Sequence, residues 1–173
     1  NPFPQSAVQE FRVITQNFKA EYQKASSAII TDVTKSGGNE LHGDVFVYYQ
    51  NKDLVSIDGV TQRRADANGT EAVKPEYERW QPGVSLGGPI VKDKLHFFAS
   101  YEGNVQDREY EVFRGTNMNW PAAFRDQFAQ YEGLYTSPFR STLLFGKVTA
   151  SLADNSHLDV SGDLRHETDI RGF

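Results

Sequence analysis

Cysteine is absent from all 173 residues, so neither a disulfide framework nor a thiolate metal site can form, and redox chemistry leaves no mark of the compartment. Long apolar runs are absent too. Nothing approaches the roughly eighteen consecutive apolar residues a membrane helix needs, which excludes a helical membrane protein. There is no basic run and the net charge is −5, so the phosphate-binding surface that nucleic acid requires is missing. The opening Asn-Pro-Phe-Pro-Gln has none of the charged and apolar regions of a secretion signal, and an exported protein would therefore have its start elsewhere. What the chain does have is an uncommon mixture: 13% aromatic residues at a mean hydropathy of −0.57. The apolar residues are diluted among polar ones, as in transmembrane barrels with a polar lumen.

Residues 8–15 (VQEFRVIT) read as a strand, residues 17–27 (NFKAEYQKASS) as a helix after an Asn17 cap, and residues 28–35 (AIITDVTK) as a β-branched strand closed by a Ser36-Gly37-Gly38-Asn39 turn. These residues suggest a small α+β unit. From Leu41 the pattern changes to period-2 segments of about ten residues, the form expected of membrane strands. Five are predicted: residues 42–51, 80–90, 95–102, 143–152 and 157–165. In the first, Val45, Val47 and Tyr49 oppose Asp44, Phe46, Tyr48 and Gln50, with Phe46 the one apolar residue on the polar side. In the second, Trp80, Pro82, Val84 and Leu86 oppose small or polar residues, and Pro82 removes a ladder donor. In the third, Leu95, Phe97, Ala99 and Tyr101 oppose His96, Phe98, Ser100 and Glu102. The last two place Leu144, Val148 and Leu152 against Phe145, Lys147 and Thr149, and Leu158, Val160 and Leu164 against Asp159, Asp163 and Arg165. So dense a charged face does not suit a dry core.

The connections alternate between long (about 52–79 and 103–141) and short (91–94 and 153–156). Outer-membrane barrels have long external loops and short periplasmic turns, and this register puts both short connections on one side. Within the second long loop, Asn119 is expected to cap a short helix with Pro121 in its first turn and Phe124, Phe128 and Tyr131 on one face. Five strands cannot close a barrel, so the chain is expected to be a piece of a longer one or to meet another sheet.

Chemistry-bearing residues are scattered. His42, His96, His157 and His166 lie on different strands without ligand spacing. Asp44, Glu102, Asp159 and Asp163 are accounted for by a polar lumen without acid–base work. No helix follows Gly87-Gly88, so close packing explains the pair better than a phosphate cradle. Trp80, Tyr77, Trp120, Tyr131 and Tyr135 have two readings, ligand-stacking groups or an interface girdle with loop cores, of which the second is preferred.

Residues 28–43, AIITDVTKSGGNELHG, resemble the junction at which the plug of a TonB-dependent outer-membrane receptor ends and its barrel begins. Val8-Gln9-Glu10-Phe11 and Ala20-Glu21-Tyr22 look like plug segments of that family, and residues 87–103, GGPIVKDKLHFFASYEG, resemble a strand hairpin of its Oar-like branch. The resemblance implies an all-β membrane barrel, about five antiparallel strands of it, preceded by the end of a small α+β plug. Residues 1–40 would be the C-terminal part of the plug and 41–173 the first strands and external loops of a barrel of about 22 strands. It further implies energy-coupled uptake of a large solute across the bacterial outer membrane, with outer-membrane lipid, the solute and the TonB complex as partners, the last through an N-terminal segment outside these residues. No enzyme activity, cofactor or metal is expected. Candidate solute contacts are Asp44, Tyr48, Gln50, Glu102, Lys147 and Arg165 on the lumen face, with Tyr77 and Trp120 in loops. The alternative is a soluble or secreted all-β binding module without catalytic activity, which the long connections disfavour; no motif supports a third reading, a secreted hydrolase using Asp and Glu pairs.

Overall fold

The computed structural model describes residues 3–15, 28–112, 121–153 and 155–169. Two β-branched segments, β1 (Val8–Ile14) and β2 (Ile29–Thr34), pair antiparallel as a two-stranded sheet, from Val8 opposite Thr34 to Ile14 opposite Ile29, with a register shift between Val8 and Glu10. The predicted helix over 17–27 and the plug-like Ala20-Glu21-Tyr22 lie outside the described residues. The remaining strands, β3 (His42–Asn51), β4 (Tyr77–Val91), β5 (Leu95–Val112), β6 (Gly133–Ala153) and β7 (Ser156–Asp169), form one five-stranded sheet in chain order.

All five predicted membrane strands are present, but β5 and β6 run to 18 and 21 residues, well beyond the 9–11 or so that cross a bilayer. The expected long loop over 103–141 is shorter for that reason. Residues 104–112 carry charge on both faces, which erases the period-2 signal, yet the ladder continues, with Asp107 and Glu111 each held by an arginine. Arg140 Nη2 reaches both Asp107 carboxylate oxygens at 2.8 and 3.0 Å, and Arg64 meets Glu111 at 2.6 Å.

The first long connection contains a helix that was not expected, α1 (Gly59–Asn68). It has almost no apolar stripe, so periodicity is silent. Its ends are nevertheless written in the sequence: the Asp58 carboxylate accepts from the Val60 and Thr61 amides, and Gly69, left-handed at φ 64°, donates back to the Ala65 and Asp66 carbonyls. The second connection forms α2 (Ala122–Ala129) as expected, although Pro121 occupies the N-cap position instead of the first turn. Phe124, Phe128 and Tyr131 follow one another at ring-centroid distances of 6.0 and 6.3 Å. The expected cap, Asn119, lies outside the described residues.

The chain divides into two compact units, Asn1–Val47 with Pro82–Gly103 and Ser141–His166, and Tyr48–Gln81 with Asn104–Arg140 and Glu167–Phe173. In the first, burial is the reverse of that in a soluble sandwich. Ser85, Ser100 and Glu102 are 3–5% exposed, whereas Val45, Leu152 and Val160 are 80%, 69% and 62% exposed. In β4, β5 and residues 143–149 of β6 the faces are those the alternation predicted, polar inward and apolar outward, while in the end strands β3 and β7 nearly every residue of both faces is exposed. Apolar exceptions on the inward face include Phe46, over Gly83, and Phe98 and Phe145, which are buried with Ala7 and packed against Phe3.

Glycines explain the junction motif in the same unit. A Cβ on Gly37 would overlap the Phe97 carbonyl and come within 2.9 Å of the Gly88 carbonyl oxygen. One on Gly88 would meet Leu41, and one on Gly87 the His42 ring. Asn39 completes the seat: its amide donates to Asp93 Oδ1 at 2.5 Å, while its Oδ1 accepts from the Asp93 amide and lies 2.8 Å from His96 Nε2. Asp93, at φ 63°, belongs to the tight turn between β4 and β5. The two segments that carry the family resemblance therefore touch each other. Gly37→Ala should destabilise by about 1–3 kcal/mol, because backbone carbonyls cannot swing aside as a side chain would. Denaturant unfolding of the full-length protein in detergent checks this, and a change below 0.5 kcal/mol, roughly the scatter of surface substitutions, would contradict it.

Candidate functional site

The inward face of the first unit carries four of the expected solute contacts on separate strands. Asp44 on β3 accepts from the Ser85 hydroxyl at 3.5 Å. Glu102 on β5, 5% exposed, accepts the Gln5 amide at 2.7 Å and so holds the N-terminal segment against the sheet. Lys147 on β6 forms an ion pair with Asp159 on β7 at 3.5 Å. Arg165 is exposed on β7, the last strand of the sheet. Glu102 and Lys147 are thus occupied by structural partners.

The second unit contains a cavity of 470 Å³ lined by β3, the connection that follows it, α1 and β5. Its size falls within the range of small-molecule sites. Two expected contacts meet here: the Tyr77 hydroxyl donates to Gln50 Oε1 at 3.2 Å. Val55, Ile57 and Pro75 supply an apolar wall, and the ionisable groups are Lys52, Lys74, Arg108, Asp58, Glu76 and Glu109. Most of these are engaged with one another. Lys52 is paired with Glu76, and this hydrogen bond and charge hold its ammonium above the ordinary lysine value. Lys74 donates to the Lys52 carbonyl at 3.3 Å, and Glu109 accepts the Glu76 amide at 3.2 Å.

Asp58 is engaged differently, as the cap of α1. The Thr61 hydroxyl donates to it at 2.6 Å, and with the Thr61 and Val60 amides this holds its pKa below the ordinary 3.8. A depressed carboxylate stabilises the folded loop above its unfolded pKa and loses that contribution as pH falls through the folded one. Amide exchange at Val60 and Thr61 should therefore be insensitive to opening between pH 5 and 7, after correction for intrinsic rates. It should accelerate below about pH 4 in the native protein, and Asp58→Asn, which keeps an oxygen acceptor without the titrating charge, should abolish the pH step.

Tyr48 is exposed on β3, and Trp120 lies outside the described residues. Of the other aromatics, Trp80 sits with Tyr49 at a centroid distance of 4.4 Å. Both belong to the outward apolar series of their strands, a girdle-like placement. Tyr135 stacks on Tyr110 at 6.1 Å and donates to the Tyr131 carbonyl at 3.0 Å. Sequence reasoning missed Gln5, Asp58 and Arg108. The Asp58 cap was readable from the Asp-Gly start and Asn-Gly end of α1, whereas nothing marked Gln5 or Arg108, whose roles depend on residues distant along the chain.

A family model described as outer membrane β-barrel domain matches residues 33–153, from the end of β2 through β6. The TonB-dependent transporter Oar of Myxococcus xanthus is 34% identical over 103 residues, which is 58% of this chain and 9% of that protein. The chain thus spans under a tenth of the length of this curated relative. No solved structure matches. The inverted burial, the long meandering strands and the match over most of the length agree: the chain belongs to the outer membrane β-barrel domain family, and its place is the bacterial outer membrane.

Proposed function

We propose that residues 1–40 are the end of a plug and residues 41–173 the first strands and loops of the barrel of a TonB-dependent receptor, which takes up a large solute with energy supplied by TonB. The observation that carries this reading is the seating of the N-terminal segment on the inward face. The Gln5 amide is bound to Glu102, Phe3 meets Phe145 edge-on at 5.8 Å, and Ala7 is 0% exposed. A segment held inside a barrel by a few polar and aromatic contacts is a removable obstruction, as import through a plugged lumen requires. The named activity of the Oar relative supports the same reading, and so does the engagement of Glu102 and Asp159 in structural contacts, which favours transport over catalysis.

On this reading the long connections face outward. Protease added to intact cells should cut between residues 52 and 76 or between 113 and 132, and should spare Lys92 and Lys94 in the β4–β5 turn. Cleavage at those lysines from outside would reverse the orientation. Coupling has its own test, labelling of Ala7→Cys in the full-length protein with a membrane-impermeant maleimide. During growth on complex medium the thiol should react faster in cells with TonB than in cells lacking it. Equal rates would sink the coupled-plug reading.

A further inference from the structure

In the cavity beside α1, every lining charge but one has a partner. Lys52 is paired with Glu76, Lys74 is bound to a carbonyl, Asp58 caps a helix and Glu109 accepts an amide. Arg108 is the exception: among the described residues its guanidinium has no hydrogen bond and no ion pair, though carboxylates line the same hollow. It also borders an adjoining cavity of 590 Å³, so it is reachable from both hollows. Among the described residues of this unit the other guanidinium groups are engaged, for Arg140 grips Asp107, Arg64 grips Glu111, Arg79 binds Asn104 and Gln81, and Arg63 donates to the Gly59 carbonyl. Arg108, exposed on β5, is an arginine that has found no carboxylate among the described residues. One left open in a concave, partly apolar site is a fork without its anion.

From this we infer that the cavity binds a ligand with an anionic group, carboxylate or phosphate, on an apolar body. Arg108 takes the anion through its planar pair of donors, and Val55, Ile57 and Pro75 cover the body. The fixed Lys52–Glu76 pair forms part of the wall and contributes orientation more than charge. This inference rests on the receptor reading and names the class of its substrate, or of the part of it that is captured first.

The test uses the full-length protein purified in detergent, with 2-naphthyl phosphate as probe and 2-naphthol as its neutral counterpart, measured by equilibrium dialysis against protein-free detergent. The phosphate should bind at least ~10-fold more tightly than the naphthol, since a charge-assisted bond is worth one to two decades of affinity. Arg108→Gln should remove that preference and leave naphthol binding unchanged, and Arg108→Lys, which keeps the charge but not the fork, should fall between. No preference for the anion in the wild type, or a preference that survives Arg108→Gln, overturns the anion site. Either result with outer-membrane fractionation and the protease pattern intact overturns this inference alone, whereas a changed protease pattern in the unsubstituted protein strikes at the receptor reading.

Discussion

Val148→Arg is expected to lower the stability of the full-length protein refolded in bilayers by about 2–4 kcal/mol if the position lies near mid-membrane, with the cost falling towards zero nearer an interface. Val148 belongs to the exposed apolar series of β6, on the face opposite the Lys147–Asp159 pair. In water such exposure would invite aggregation, but in acyl chains it is the stable arrangement. A guanidinium introduced there is relieved only by snorkelling or by thinning the bilayer. Lys147→Gln is the matched control. It loses one ion pair whose two side chains are 13% and 41% exposed, a loss of about 1 kcal/mol or less, and the amide can still donate to Asp159. Equal effects, or a worse Lys147→Gln, would mean that the two faces of the sheet are reversed.

The second large effect concerns the inward face. Phe98→Ala should loosen the N-terminal segment by about 3–5 kcal/mol, because Phe98 is 2% exposed and shares one small cluster with Phe3, Ala7 and Phe145. With so few members, loss of one ring leaves the others little to collapse onto. The loss should appear where the segment is hydrogen-bonded: at the Gln5 amide on Glu102, the Ala7 amide on the Pro4 carbonyl and the Lys35 amide on the Ala7 carbonyl. Exchange at these amides should rise by roughly 100-fold or more, at tenfold per 1.4 kcal/mol. Exchange in the centre of β6 should move far less, since its ladder does not depend on the segment. Unchanged protection at Ala7 would show that Phe98 does not hold the segment in place.

Much of this architecture was legible because the strand period is two and one face meets lipid. The segments at 80–90, 95–102 and 143–152 could be assigned to faces residue by residue, and burial follows that assignment, whereas along 42–51 and 157–165, in the two end strands of the sheet, nearly every residue is exposed. The departures from the pattern proved as informative as the pattern. Phe46 overhangs Gly83 so closely that a Cβ there would enter its ring, and Phe98 and Phe145 meet the N-terminal segment. An aromatic residue on the polar side therefore marks either a glycine that needs cover or a surface that receives another part of the chain. Local reading failed where stability comes from pairing across the sequence. The extensions of β5 and β6 beyond the predicted segments are joined by Arg140–Asp107, and β5 is tied to α1 by Arg64–Glu111, residues 33 and 47 positions apart. The helix α1 lacked a stripe and was announced by its caps alone. The candidate site was legible only in part: Gln50 and Tyr77 do meet, but Arg108 drew no attention, because an isolated arginine within a charged run carries no local signal.

The Asn39 clamp has a mechanical consequence. Asn39 is fastened at two points to the turn between β4 and β5, and Gly37 lies flush against backbone carbonyls a few residues before it. Tension applied to the chain ahead of this point is delivered to the turn and from there to the neighbouring strands, because Ser151 donates to the Lys94 carbonyl at the end of the same turn. The leash thus has a fixed stop. Ahead of Gly37 the described contacts with the sheet include the Gln5–Glu102 bond and the Phe3–Phe145 pair, while Asn39 is bonded to a hairpin that is itself tied to β6.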